Sequence, residues 1–250
     1  MRFLREIRLV YVRSLRPPLR SPASVIVGMA MPLVYLVLFG PLLQATTGGT
    51  GRDSWRWFVP GMLVQLTLFS TAYAGFSLLP ELRSGVMERL RVSPVSRTAL
   101  LLGRVLKDVT LLLVQAGLFI GLAVVMGFRA SVGGVLLCLL LVALTGIAVG
   151  VTSYTLAMKL KFEFALAPVL SAVVVPLMLL SGVLLPMKLG PKWLYDLSRA
   201  NPLSHVVDAA RALTVGSFEN RSVLVGSAVA VCLVLLCTFW GARSFAREQA

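Results

Sequence analysis

Six stretches of the chain carry no charged side chain: Ser21–Gly51, Trp57–Pro80, Val109–Phe128, Ala130–Met158, Phe164–Met187 and Ser222–Ala242. They run for 31, 24, 20, 29, 24 and 21 residues, and a helix needs roughly 20 apolar residues to cross a bilayer core. Membrane-spanning strands would instead alternate apolar and polar positions over about ten residues, which this chain does not do. The pattern predicts an all-α membrane protein with six transmembrane helices in one transmembrane domain covering residues 1–250. The spans are expected at about 24–44, 58–80, 105–127, 132–157, 164–186 and 222–242.

Helical spacing continues outside these runs. Phe3, Leu4, Ile7, Val10, Tyr11 and Leu15 form one stripe within residues 1–20, and Arg2, Arg5, Arg8, Arg13 and Arg16 occupy the remaining surface. This is the pattern of an amphipathic helix lying in the membrane interface, stopped by Pro17-Pro18 and Pro22. Trp55 and Trp57 close a Gly-rich loop (45–57) as interfacial anchors, a tight turn is expected near Phe128–Ser131, and Pro168 and Pro176 predict a kink in the fifth span. In the segment 187–221, Asn201-Pro202 reads as a helix start, with Asn as N-cap and Pro at the first helical position. Leu203, Val206, Val207, Ala210 and Leu213 then form an apolar stripe that Gly216 ends. Asp208 and Arg211 are spaced to pair on this helix. It is too short to span a membrane, so the segment is expected to re-enter one leaflet.

Composition sharpens the class. Hydrophobic residues make up 58% of the chain and charged residues 14%, with a mean hydropathy of +0.89, whereas soluble domains carry about 25% charge. The net charge of +14 would suit nucleic acid, but its placement does not. Of the 24 basic residues, 16 precede the first span, lie in or next to the segment 81–104, or follow the fourth and sixth spans. By the positive-inside rule both termini and 81–104 are cytoplasmic, 187–221 is on the outer side, and the protein belongs in the cell membrane, with lipid rather than nucleic acid around it. The leader is followed by too long an apolar run for a cleaved signal peptide. Cys138, Cys232 and Cys237 fall in apolar runs without metal-type spacing and read as packing residues.

Candidate chemistry is sparse. No Gly-Lys dipeptide occurs, so the chain has no phosphate-binding loop of its own. The single histidine, His205, reads as a polar-face residue, and the apolar runs contain no charge that could serve as a catalytic or proton-relay group. The chain is therefore not expected to be an enzyme, nor to bind a cofactor or metal. Most polar residues in the spans suit helix–helix hydrogen bonds, with Tyr35, Gln65, Thr71, Met178 and Ser181 as a possible path for an amphipathic solute. Met29, Met31, Met62, Met178 and Met187 read chiefly as membrane packing.

What remains is the charged stretch MERLRVSPVSR (87–97). Glu81–Arg83 and Val86–Arg91 could form a short helix that Ser93-Pro94 ends. Taken alone, the segment 81–104 reads equally well as a solvated basic loop or as an element that converts a partner's movement into tilting of two spans.

The segments RSGVMERLRVSPVSRTALLLGRVLKD (83–108) and LLSGVLLPMKLGPKWLYDLSRANPLSHVVDAARAL (179–213), with the basic leader and the six-span layout, resemble the membrane subunits of ATP-binding-cassette type-2 exporters, especially the daunorubicin-resistance permease branch. The resemblance covers essentially the whole chain. It implies a permease working with a separate ATPase that holds ATP and Mg, usually as two permeases and two ATPases. It also implies a coupling helix that docks in the ATPase, to which Gly85, Glu88, Arg89, Leu90, Ser93 and Pro94 correspond, with Arg91 among them. Many relatives carry Ala where this chain has Arg89. The outer re-entrant helices would include Gly182, Pro186, Asn201, Pro202, Asp208 and Arg211. The expected function is export of a hydrophobic or amphipathic compound, such as a drug or antibiotic, by a permease homodimer. The alternatives are export of a lipid or lipid-linked polysaccharide, or a membrane binding or assembly role without transport.

Overall fold

The computed structural model describes residues 2–20, 28–39, 52–83, 97–160, 162–184 and 186–247. These are helical apart from short turns. In chain order they form α1 (Arg2–Arg20), α2 (Gly28–Phe39), α3 (Arg52–Ala72), a 3-10 turn (Ala74–Leu78), α4 (Leu79–Arg83), α5 (Arg97–Val125), α6 (Val132–Leu160) and α7 (Glu163–Leu180). A second 3-10 turn (Met187–Leu189), α8 (Lys192–Ala200), α9 (Pro202–Val215) and α10 (Arg221–Arg247) follow.

Among the described residues, four helices are long and apolar enough to cross a membrane: Trp55–Leu78, Thr98–Val125, Val132–Leu160 and Arg221–Ser244. α2 and α7 are shorter apolar helices. The first expected span is described only over α2, and its flanking residues lie outside the described set. α7 stops at Leu180 rather than 186 for a local reason. The Ser181 N–H turns back to the Met178 carbonyl, and Gly182 takes a left-handed φ of 74°, which a helical ladder cannot pass.

Contacts set the helix directions. The start of α3 meets α9 through Trp57 and Arg211, and its end meets α6 through Ala72 and Ser153. α6 begins against Leu213 of α9, at Gly134, and ends with Lys159 over the Trp240 ring of α10. α10 itself starts against His205 and Ala209 of α9, at Gly226. The long helices therefore alternate between an end closed by α8 and α9 and an end carrying α1, α4 and the start of α5.

The two amphipathic segments find partners that periodicity does not name. Val10 of α1 packs on Gly103 of α5, where an added Cβ would lie 2.8 Å from the Val10 side chain, and the Tyr11 hydroxyl is 3.1 Å from that of Thr110. Ile7, Val10, Tyr11 and Leu15 are half-buried, while Phe3, Leu4, Leu9 and Val12 remain exposed. One side of the stripe thus serves α5 and the other is free for lipid. Pro17 and Pro18 lie inside α1 rather than beyond it. Their fixed φ near −65° is itself helical, so close to the C-terminus they cost two ladder hydrogen bonds without breaking the helix.

α9 is buried more completely. Its stripe, Leu203, Val206, Val207, Ala210 and Leu213, is at most 3% exposed. Val206, Val207, Ala210 and Leu213 belong to the main apolar core with Met62, Leu66, Phe119 and Phe128. The helix is inserted among α3, α6 and α10.

Candidate functional site

The first turn of α9 is built around Asn201. Its Oδ1 accepts the Leu203 N–H at 3.0 Å, capping the helix, while Nδ2 donates to the Leu177 carbonyl at 2.7 Å. Ser204 Oγ lies 2.7 Å from the Ser198 carbonyl and 3.1 Å from the Leu180 carbonyl, and Ser181 Oγ donates to the Met178 carbonyl at 2.6 Å. Leu177, Met178 and Leu180 are in the last turn of α7, where carbonyls have no intrahelical donor. Side chains from α9 and the following turn fill that gap.

About two turns beyond Ser204, Arg211 joins three elements. Nε donates to the Trp57 carbonyl at 3.1 Å, Nη2 donates to the Gly182 carbonyl at 2.8 Å, and the guanidinium lies 4.2 Å over the Trp57 ring. Burial pushes this guanidinium down to about 10, the nearby Asp208 opposing the shift, so it stays protonated near neutrality. Asp208 does not pair with Arg211 as the spacing suggested. Its Oδ2 is 2.6 Å from Nη1 of Arg199 on α8, because Arg211 turns toward the two carbonyls and leaves Asp208 facing the neighbouring helix. His205 completes this surface, with Nε2 3.1 Å from the Arg199 carbonyl and Nδ1 3.3 Å from its guanidinium. The geometry suits an Nε2–H that donates to the carbonyl and an Nδ1 that accepts. Trp57, Ser181, Gly182, Pro186 and Arg211 line a cavity of about 230 Å³ here.

A second polar cluster occupies the opposite end. The Tyr154 hydroxyl of α6 donates to Asp108 Oδ2 at 2.5 Å, and Asp108 Oδ1 is 2.6 Å from Lys107 Nζ. Ser77, in the 3-10 turn after α3, has its hydroxyl 3.2 Å from that of Tyr154. The adjacent Ser153 accepts the Gly75 N–H at 2.9 Å and donates to the Ala72 carbonyl. Arg104, Lys107 and Asp108 are all at most 9% exposed.

Over residues 5–215 the chain matches the family described as ABC-2 type transporter. It is a member of that family. The chain is 29% identical over 212 residues to the daunorubicin resistance ABC transporter permease protein DrrB1 of Streptomyces coeruleorubidus, covering 83% of this chain and 75% of that protein. It is 28% identical over 222 residues to the putative transport permease ycf38 of Pyropia yezoensis, covering 84% and 74%. With nodulation protein J of Neorhizobium galegae it shares 23% identity over 235 residues, covering 92% and 87%.

The residues singled out in the sequence fall unevenly on this ABC-2 protein. Gly85, Glu88, Arg89, Leu90, Arg91, Ser93 and Pro94 lie outside the described residues, between α4 and α5. Gly182, Pro186, Asp208 and Arg211 gather at the 230 Å³ cavity, with Asn201 and Pro202 opening the helix that forms its wall. Of the five path residues, Ser181 lines that cavity. Met178 packs with Leu68, Ala72, Val174 and Leu203, Tyr35 of α2 faces Phe39 at 5.7 Å, and Thr71 bonds the Thr67 carbonyl of its own helix. Gln65 is fully buried, and among the described residues neither of its amide atoms has a hydrogen-bond partner.

The Tyr154 cluster is what sequence reasoning missed. Arg104 and Lys107 count there only among the basic residues in or next to the segment 81–104, whereas both are buried within α5. A signal was present: Lys107-Asp108 falls inside the span expected at 105–127, where a charged pair needs a polar partner from another helix.

Proposed function

We propose that this chain is the permease subunit of an ATP-driven exporter moving a hydrophobic or amphipathic compound, in the manner of drug efflux. The observation that carries this reading is membership of the ABC-2 family across residues 5–215, together with the likeness to a daunorubicin resistance permease over most of the chain. A separate ATPase binds and hydrolyses ATP with Mg. Two copies of each subunit make the working unit, and both termini and the segment 81–104 face the cytoplasm. In this orientation α8, α9 and the Arg211 cavity lie on the outer side, where a cargo would leave. Glu88 and Arg89 make the contact with the ATPase.

The test is reconstitution with an ABC ATPase partner. Inside-out vesicles containing both subunits should accumulate a daunorubicin-like amphipathic dye when given ATP, and vesicles lacking either subunit should not. Accumulation of a labelled lipid in place of the dye would move the assignment to lipid export. Glu88→Lys and Arg89→Glu should each cut ATPase association at least tenfold while leaving the permease inserted. Normal association and transport in both variants would remove this loop from the contact.

A further inference from the structure

Residues 84–96 are entered and left by two limbs, and the structure ties both to the same place on α6. The entering limb is Ala74–Arg83, the 3-10 turn plus α4; the leaving limb is the first part of α5. Where α3 gives way to the 3-10 turn, Tyr73 breaks the helical ladder, and Ser153 spans the break by donating to the Ala72 carbonyl and accepting the Gly75 N–H at 2.9 Å. The next residue, Tyr154, donates its one hydroxyl proton to Asp108 on the leaving limb at 2.5 Å; the Ser77 hydroxyl, 3.2 Å away, donates to the Ala74 carbonyl of its own limb at 2.7 Å. Apolar packing seals the junction. Leu78 and Leu79 of the entering limb, Leu101 and Val105 of the leaving limb, and Val151 and Ala157 of α6 share one cluster, each at most 2% exposed. There is no room to relax at Gly75, where an added Cβ would lie 2.6 Å from the Ser153 carbonyl oxygen.

Buried polar groups of this kind hold one arrangement, because any shift leaves a donor or acceptor unpaired at about 1–3 kcal/mol each. Two limbs hinged independently could move without the bundle, whereas limbs fastened to adjacent side chains of a single helix move with that helix.

We infer that Ser153 and Tyr154 are positioning residues for coupling: they clamp both limbs of the 84–96 segment to α6, so that force applied to that segment by an ATPase reaches the bundle as a rigid displacement of α6. This rests on the proposed function, and it assigns α6 as the helix that first receives the load.

The experiment compares Ser153→Ala and Tyr154→Phe in the reconstituted permease–ATPase complex, measuring dye transported per ATP hydrolysed and, separately, amide hydrogen exchange in the permease. Tyr154→Phe keeps the ring and removes one hydroxyl. Each variant should retain ATPase association, lose at least fivefold in transport per ATP, and exchange at least tenfold faster over the limb it releases, 74–83 for Ser153→Ala and 97–108 for Tyr154→Phe, while the α6 amides stay protected. An unchanged transport-to-ATP ratio, or unchanged exchange over the released limb, overturns the inference. If Ser153→Ala fails to insert, Tyr154→Phe decides it alone, because it leaves the packing of the ring in place. Wild-type vesicles without ATP-dependent transport would instead overturn the functional reading, while the exchange data would still report on the clamp.

Discussion

Arg211 lies 4.2 Å over the ring of Trp57 and donates through Nε to the same residue's carbonyl oxygen at 3.1 Å. Its second bond, to Gly182, makes this one side chain the junction of α3, α9 and the turn that ends α7. Lysine cannot reproduce a planar fork that stacks and donates in two directions. Arg211→Lys should therefore lose nearly as much stability as Arg211→Ala, roughly 2–3 kcal/mol from two unpaired carbonyls and the lost stacking. Thermal unfolding in detergent measures this; full stability in the Lys variant would show that charge alone is needed.

Asn201 supports two helices at once, and its two roles can be separated. Asn201→Ser retains an oxygen able to cap Leu203 but cannot donate to Leu177, whereas Asn201→Ala loses both contacts. The expected losses are about 1 kcal/mol for Ser and about 2 kcal/mol or more for Ala. Equal melting temperatures for the two variants would assign the whole effect to the Leu177 bond.

Gly226 lets α10 approach α9 closely enough that a Cβ would collide with Ala209 and the His205 carbonyl oxygen. At Gly117 of α5 nothing among the described residues lies within 4 Å of the added atom. Gly226→Ala should destabilise the protein by about 1–3 kcal/mol through overpacking. Gly117→Ala should be neutral or gain up to about 1 kcal/mol from helix propensity. Retained folded protein after solubilisation and heating would rank the two; the reverse ranking would mean that α9 is not seated against α10.

The proposed orientation rests on the charge pattern and is open to labelling. A cysteine at Gly49 should react with an impermeant thiol reagent added outside intact cells, and one at Ser96 only after permeabilisation. The opposite pattern would place the basic segments outside and reverse the proposed transport direction.

Much of the architecture is local and therefore legible in the chain. An uncharged run of twenty or more residues has few alternatives to a buried helix, because each backbone polar group in an apolar medium must be bonded within the segment. For the same reason Asn201, Pro202 and Gly216 bracket α9 without help from distant residues: the cap, the proline at N1 and the left-handed stop at φ 89° act within one turn. The buried face of α9 was equally readable from its period.

What covers that face was not. Apolar periodicity says that a side is buried, yet lipid and a neighbouring helix satisfy it equally; the fold supplies α5 for part of the α1 stripe, and α3, α6 and α10 for that of α9. The partners of the polar groups were also decided only in three dimensions. Asp208 had Arg211 three residues away and took Arg199 instead, since the guanidinium had two carbonyls within reach elsewhere. Tyr154 meets Ser77 from 77 residues away and Asp108 from 46. The chain itself determined a helical membrane protein with a charged interruption at 87–97; only the packed structure decided that both sides of that interruption are fastened to α6, because a hydrogen bond selects partners by distance in space and sequence records only separation along the backbone.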